Sequence, residues 1–144
     1  MIKFEYVNEK TADVSLPRRA TSGSSGYDFY CPRRVEVKKG QTVLVETNVR
    51  FICDNPNYWL MLMPRSGLGF KYGMRLLNTI GNVDSDYWQA DNKGHIMAKI
   101  TADEDFVIEK GDRFMQGVIV PCLFVDDDMT DGRRTGGLGS TGLK

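Results

Sequence analysis

Apolar residues in this chain recur at every second position. "VEVKK" (35–39), "TVLVETNVRFI" (42–52), "NYWLMLM" (57–63), "HIMAKI" (95–100) and "DFVIEKGDRFMQGVIV" (105–120) alternate or run apolar and are rich in β-branched and aromatic residues. A period of two gathers alternate side chains on one face of a strand, whereas a helix would scatter them around its circumference. Gly26, Gly40, Gly73, Gly81, Gly94 and Gly111 punctuate the sequence, as expected where short strands turn back on one another. The pattern predicts an all-β domain, closed as a barrel or packed as a two-sheet jelly roll. One short helix is expected over "SGLGFKYG" after Pro64, with Ser66 as its cap.

At 144 residues the chain fits one domain. The strand pattern ends at Asp126, Asp127 and Asp128, beyond which only Met129, Leu138 and Leu143 are large and apolar. That is too little to bury. Residues 1–126 are expected to form the β domain, and 127–144 a glycine-rich arm that stays mobile until a ligand orders it. No apolar run approaches a membrane span, and "MIKFEYVNEK" lacks the form of a secretory signal. Three widely spaced cysteines and one histidine, His95, argue against a disulfide framework and a zinc site. A soluble, cytoplasmic protein is expected. Lys plus Arg balances Asp plus Glu at 19 each, so no overall field attracts a nucleic acid. Positive charge is instead concentrated in "PRSGLGFKYG" and "RRTGGLGSTG".

Five stretches carry candidate chemistry, and each has an ordinary reading beside it. In "SSGYDFYCP", Asp28 alternates with Tyr27 and Phe29 and reads either as a strand-edge carboxylate or as a site residue. In "PRSGLGFKYGM", Arg65, Ser66 and Gly67 at a helix start form either a phosphate cradle or a plain capped helix. "LLNTIGNVDSDYW" places Asn78, Asp84, Asp86 and Tyr87 around Gly81, with Ile80 and Val83 flanking them. A hairpin there holds either a basic carboxylate beside an apolar pocket or exposed aspartates in a turn. In "GDRFMQGVIVP", Arg113 and Gln116 lie an odd number of steps apart, so they share a face only across a bulge or strand end; alone, the stretch reads as structural. In the tail, glycine amides and the hydroxyls of Ser140 and Thr141 can wrap a polyphosphate while an arginine neutralises its charge. A Walker A loop is excluded, because there is no GxxxxGK[ST].

Together and in this order, "GYDFY", "PRSGLGFKYGM", "NTIGNVDSDY", "GDRFMQ" and "RRTGGLGSTG" resemble the five motifs of the trimeric dUTPase family, from about Gly23 to Gly142. The resemblance implies a jelly-roll homotrimer that hydrolyses dUTP to dUMP and pyrophosphate, limiting uracil in DNA and supplying dUMP for dTMP synthesis. It implies Mg²⁺ held by the triphosphate and waters, with no direct protein ligand and with Asp28 acting through water. By resemblance Asp84 activates the attacking water, and Arg65, Ser66, Gly67 and Gln116 bind phosphate. Asn78 and the hairpin backbone from Gly81 through Val83 to Tyr87 read uracil, and Tyr87 packs beneath deoxyribose, where a 2′-hydroxyl would clash. The tail, with Leu138, Gly139, Ser140 and Thr141, is the contribution of a third subunit to each site. The inventory suits phosphoryl transfer, which needs positioning and charge neutralisation more than a nucleophile.

Three departures from the family pattern stand out. Leu138 replaces the usual phenylalanine, whose ring stacks on uracil with about 1–3 kcal/mol. "WQADNKGHI" follows Tyr87 where the family commonly has one residue and then Gly-Glu, so the hairpin is longer; Trp88 is expected at an exposed tip, with a subunit contact or pocket cover as alternatives. The tail arginine is doubled, and counting back from Gly136 favours Arg133 over Arg134. Two rivals remain at this point. A dCTP deaminase-like enzyme would need a carboxylate on the strand that here reads Met97, Ala98, Lys99. A non-catalytic binding protein would keep the scaffold without turnover.

Overall fold

A computed structural model describes residues 1–139; Ser140 and Thr141 lie outside the described residues. The period-two runs become antiparallel strands. β1 is Ile2–Tyr6, β2 Tyr27–Tyr30, β3 Val35–Val37, β4 Val43–Glu46, β5 Val49–Cys53 and β6 Tyr58–Pro64. After a helix, α1 (Ser66–Tyr72), come β7 Arg75–Leu76, β8 Gly81–Val83, β9 Met97–Thr101, β10 Phe106–Ile108 and β11 Arg113–Pro121. The largest sheet has the order β2-β11-β6-β8, a second β4-β9-β7, and β1-β5 and β3-β10 form two-stranded pairs.

Alternation is plain in β3 and β9. Val35 and Val37 point inward while Glu36 is exposed, and Ala98 and Ile100 are buried on either side of exposed Lys99. The long 42–52 run breaks at Thr47 and Asn48, the latter at φ 58°, so that β4 pairs with β9 and β5 with β1. Thr47 holds this corner by donating from Oγ1 to the Ile96 carbonyl at 2.7 Å. Phe29, Phe51, Phe114, Leu60, Ile96 and Ile100 fill the interior, each contributing about 1.5–3 kcal/mol through burial.

Helix α1 forms where expected, but its cap differs. Arg65 is the N-cap, with extended backbone and no side-chain cap bond, and Ser66 is already helical. The chain leaves β6 extended at Arg65, whose amide donates to the Phe114 carbonyl at 3.2 Å, so the turn begins one residue before the serine. Gly73, at φ 63°, ends the helix. Beyond Pro121 the described residues contain neither helix nor strand, and Leu123, Phe124 and Val125 are exposed. The last strand therefore stops short of the aspartate run.

Candidate active site

Two groups of polar side chains stand on opposite edges of the four-stranded sheet. On one edge strand, β2, Asp28 is buried, with one carboxylate oxygen 3.3 Å from Arg65 Nε and the other 3.3 Å from Arg113. Arg65 arrives from the start of α1 and Arg113 from the start of β11. Gln116 lies directly across from Asp28 in the β2–β11 ladder. Arg113 and Gln116 both reach the Asp28 neighbourhood because the register shifts between Arg113 and Met115. The bulge that their spacing required is present. Gly26 gives Gln116 room: a Cβ there would lie 2.5 Å from the glutamine Oε1. Ser66 and Gly67 are exposed beside this cluster in the first turn of α1. One carboxylate between two guanidiniums leaves a net positive charge suited to an anion.

The other edge strand is β8, which leads into the hairpin residues. Gly81 pairs opposite Leu62, and a Cβ on it would come within 2.9 Å of the leucine Cβ, so the close approach of β8 to β6 requires glycine. Val83 is buried, while Asp84 and Asp86 are half-buried at the strand end. A cavity of about 290 Å³ is lined by Asn78, Gly81, Val83, Asp84, Tyr87 and Leu138, among others. It adjoins a wider cleft of about 600 Å³ that shares Asp84 and Arg134 and also includes Trp59. Burial holds the His95 imidazole below its ordinary value, and its Nε2 accepts from the Asn48 amide at 2.9 Å.

The described part of the arm lies against this hairpin. Arg134 pairs with Asp84 and, at 2.6 Å, with Asp86, its guanidinium largely covered. The Asp91 amide donates to the Thr135 carbonyl at 3.0 Å. Gly137 sits so close to Tyr87 that a Cβ would fall 2.3 Å from the ring. Leu138, at φ 51°, faces the cavity together with Gly139. Arg133, which the sequence register favoured, is exposed, and among the described residues no carboxylate pairs with it. The arginine on the carboxylates is the adjacent one, because the arm turns its Arg134 face toward Asp84 and Asp86.

The inserted segment after Tyr87 departs from the expected exposed tip. Tyr87–Gln89 form a 3-10 turn, and Trp88 is half-buried with its Nε1 donating to the Cys53 carbonyl at 3.2 Å. The segment folds back on the barrel because Gly94, at φ 71°, passes so close to Trp88 that a Cβ would lie 2.5 Å from its Cα. Arg113 and Arg134 are the site neighbours that sequence reasoning left aside. For Arg113 the available signal was its odd spacing from Gln116, which is informative only once a bulge is known.

Asp28 and the Asp84 hairpin are not brought together within one chain. Three interstrand spacings separate β2 from β8, about 14 Å, and the cavities around Asp84 do not include Asp28 or Arg65.

The dUTPase family model matches residues 12–142. A deoxyuridine 5'-triphosphate nucleotidohydrolase of Lactococcus lactis is 37% identical over 96% of this chain and 96% of its own. One from Hahella chejuensis is 38% identical over 92% of this chain and 90% of its own. Among solved structures, the dUTPase of Streptococcus mutans superposes with a TM-score of 0.72 at 35% identity, covering 85% of this chain and 98% of that one. The jelly-roll strands, the five motif stretches and relatives matched along nearly the whole length all lead to one statement: this chain belongs to the dUTPase family.

Proposed function

We propose that this chain hydrolyses dUTP to dUMP and pyrophosphate by attack of water on the α-phosphorus. The observation that carries the reading is Asp84, a half-buried carboxylate at the mouth of the cavity between Asn78 and Tyr87. Asp84 orients the water and takes its proton. Asn78 and the backbone from Gly81 to Val83 read the uracil edge, and the Tyr87 ring supports deoxyribose. Arg65, Ser66, Gly67 and Gln116 bind the outer phosphates, and Arg113 joins them through its contact with Asp28. The arm, residues 127–144, closes over the nucleotide. Leu138 and Gly139 cover the base end, Arg133 supplies charge to the phosphates, and Ser140 and Thr141 reach them from beyond the described residues.

Mg²⁺ on the triphosphate would neutralise phosphate charge. Asp28 has an arginine on each oxygen and lone pairs left for water. The separation of the two half-sites supports a homotrimer with shared sites. The strands that carry Asp28 and lead to Asp84, β2 and β8, stand about 14 Å apart across the sheet, far more than separates neighbouring phosphates, and Arg65 is paired with Asp28, so halves from different subunits complete each site. Cys31, Cys53 and Cys122 are unpaired, which suits a reducing cytoplasm. Among the described residues no helix is long and apolar enough to cross a membrane.

Pyrophosphate release from dUTP with Mg²⁺, compared between wild type and Asp84→Asn, tests the reading. Release by the wild type and its loss by at least a hundredfold in the variant is the expected result. No release by the wild type ends the proposal.

A further inference from the structure

We infer that Asn92, in the segment inserted after Tyr87, is a positioning residue that holds the Tyr87 ring rigid and thereby sets discrimination against ribonucleotides. The inference rests on the reading of Tyr87 as the support for deoxyribose.

Tyr87 is buried, and its hydroxyl is engaged twice. It donates to the His95 carbonyl at 3.1 Å and accepts from Asn92 Nδ2 at 2.6 Å. The orientations are fixed by chemistry. A carbonyl only accepts, so the phenol proton belongs to His95 and the Asn92 contact must be a donation to the phenol oxygen. The other end of the same amide, Asn92 Oδ1, accepts from the Gly94 amide at 3.1 Å, which can only donate. No other assignment of the Asn92 side chain satisfies both neighbours.

The inserted segment is built to make this possible. Lys93 at φ 60° and Gly94 at φ 71° reverse the chain, and Gly94 passes against the Trp88 backbone where no Cβ fits. That reversal returns the His95 carbonyl to the phenol. The Trp88 indole bond to Cys53 ties the other side of the segment to β5. The ring is thus held at its backbone and at its hydroxyl, from both ends of one loop.

Rigidity matters because the proposed discrimination is a steric one. A clash rejects a ligand only as strongly as the wall resists moving; a wall that yields accepts the larger sugar at the cost of its own displacement. An unanchored tyrosine can swing away from a 2′-hydroxyl, whereas one with both hydroxyl bonds made must break them first. The net worth of one such hydrogen bond corresponds to roughly a three- to tenfold change in a rate ratio.

The test measures kcat/KM for dUTP and for UTP, with Mg²⁺, in the full-length protein. The variants are Asn92→Ala, Tyr87→Phe, their double variant and Tyr87→Ala, each with its thermal midpoint recorded. Asn92→Ala should lower the dUTP-to-UTP ratio about three- to tenfold, Tyr87→Phe, which also gives up the His95 bond, at least as far, and the double variant no further than Tyr87→Phe, because the bond lost in Asn92→Ala is already gone there. A purely structural role for Asn92 would lower the thermal midpoint and both rates while leaving the ratio alone. An unchanged ratio in Asn92→Ala, beside a lowered one in Tyr87→Ala, overturns this inference and leaves the sugar-support reading standing. Losses that multiply in the double variant overturn it as well. An unchanged ratio in Tyr87→Ala removes the sugar-support reading and the inference together.

Discussion

Replacing Asp28 with asparagine should destabilise the protein by about 2 kcal/mol. The side chain is 8% exposed and holds two guanidiniums, each 3.3 Å away. Asparagine has nearly the same shape, and the backbone bonds of residue 28 to Arg18 are untouched by the change. What changes is the pairing. Whichever way the amide turns, its NH₂ faces an arginine N–H, so one contact becomes donor against donor while the other loses its charge. Breaking a buried ion pair typically costs about 3–5 kcal/mol. The two arginines are 33% and 44% exposed, so they recover part of their hydration and the cost falls toward the lower figure of about 2 kcal/mol. With a urea dependence of about 2 kcal/mol per molar, the unfolding midpoint moves down by about 1 M. Urea denaturation followed by tryptophan fluorescence, at one fixed protein concentration, reads this directly. In an Arg113→Ala background the amide meets one guanidinium fewer, so the further loss on adding Asp28→Asn should shrink. A midpoint within about 0.2 M of wild type, or the same loss in both backgrounds, refutes the reasoning.

Other consequences are as open to measurement. Leu138→Phe should tighten a nonhydrolysable dUTP analogue by about 1 kcal/mol or more, since a ring over the cavity adds base stacking; titration calorimetry showing no gain removes the stacking argument. Arg134→Ala should speed tryptic cleavage after Arg133 in the ligand-free protein roughly fivefold, the worth of a half-exposed charged pair. Mass spectrometry of the digest decides whether that pair docks the arm. For catalysis, Arg133→Ala should cost about a hundredfold in pyrophosphate release and Arg134→Ala much less; the reverse order would assign the phosphate role to Arg134. His95 is held below its ordinary value of 6.5 by burial. The unfolded chain therefore takes up the proton first, and the stability due to neutral His95 is complete above that value and declines as pH falls through the window beneath it. Urea midpoints between pH 7.5 and 5.5 should show a decline that His95→Gln reduces; an equal slope in both proteins contradicts it.

The strands were legible because alternation is local: Glu36 between Val35 and Val37, or Lys99 between Ala98 and Ile100, announces its own face. Helix α1 was legible too, but not its cap, because the path of the chain at Arg65 is set by a bond to Phe114 nearly fifty residues away. The motif stretches could be found by resemblance. How they meet could not, since the Arg113–Asp28–Arg65 cluster depends on one register shift and on the packing of three separate elements. The inserted segment was misplaced for a similar reason. Its tryptophan and polar residues suit an exposed tip by composition, and only the glycine reversal at Gly94 turns them back onto the barrel.

The placement of the two half-sites on opposite edges of one sheet also bears on inheritance. If each site draws one half from one subunit and the other half from a neighbour, as proposed above, a defect is not private to the chain that carries it. A cell expressing equal amounts of wild type and an Asp84 variant would lose activity in proportion to the variant. Two chains damaged on different edges, one at Asp84 and one at Arg65, would rescue each other: random mixing rebuilds about a quarter of the sites from two sound halves. Two individually silent alleles would then restore measurable activity when expressed together, and two lesions on the same edge would not.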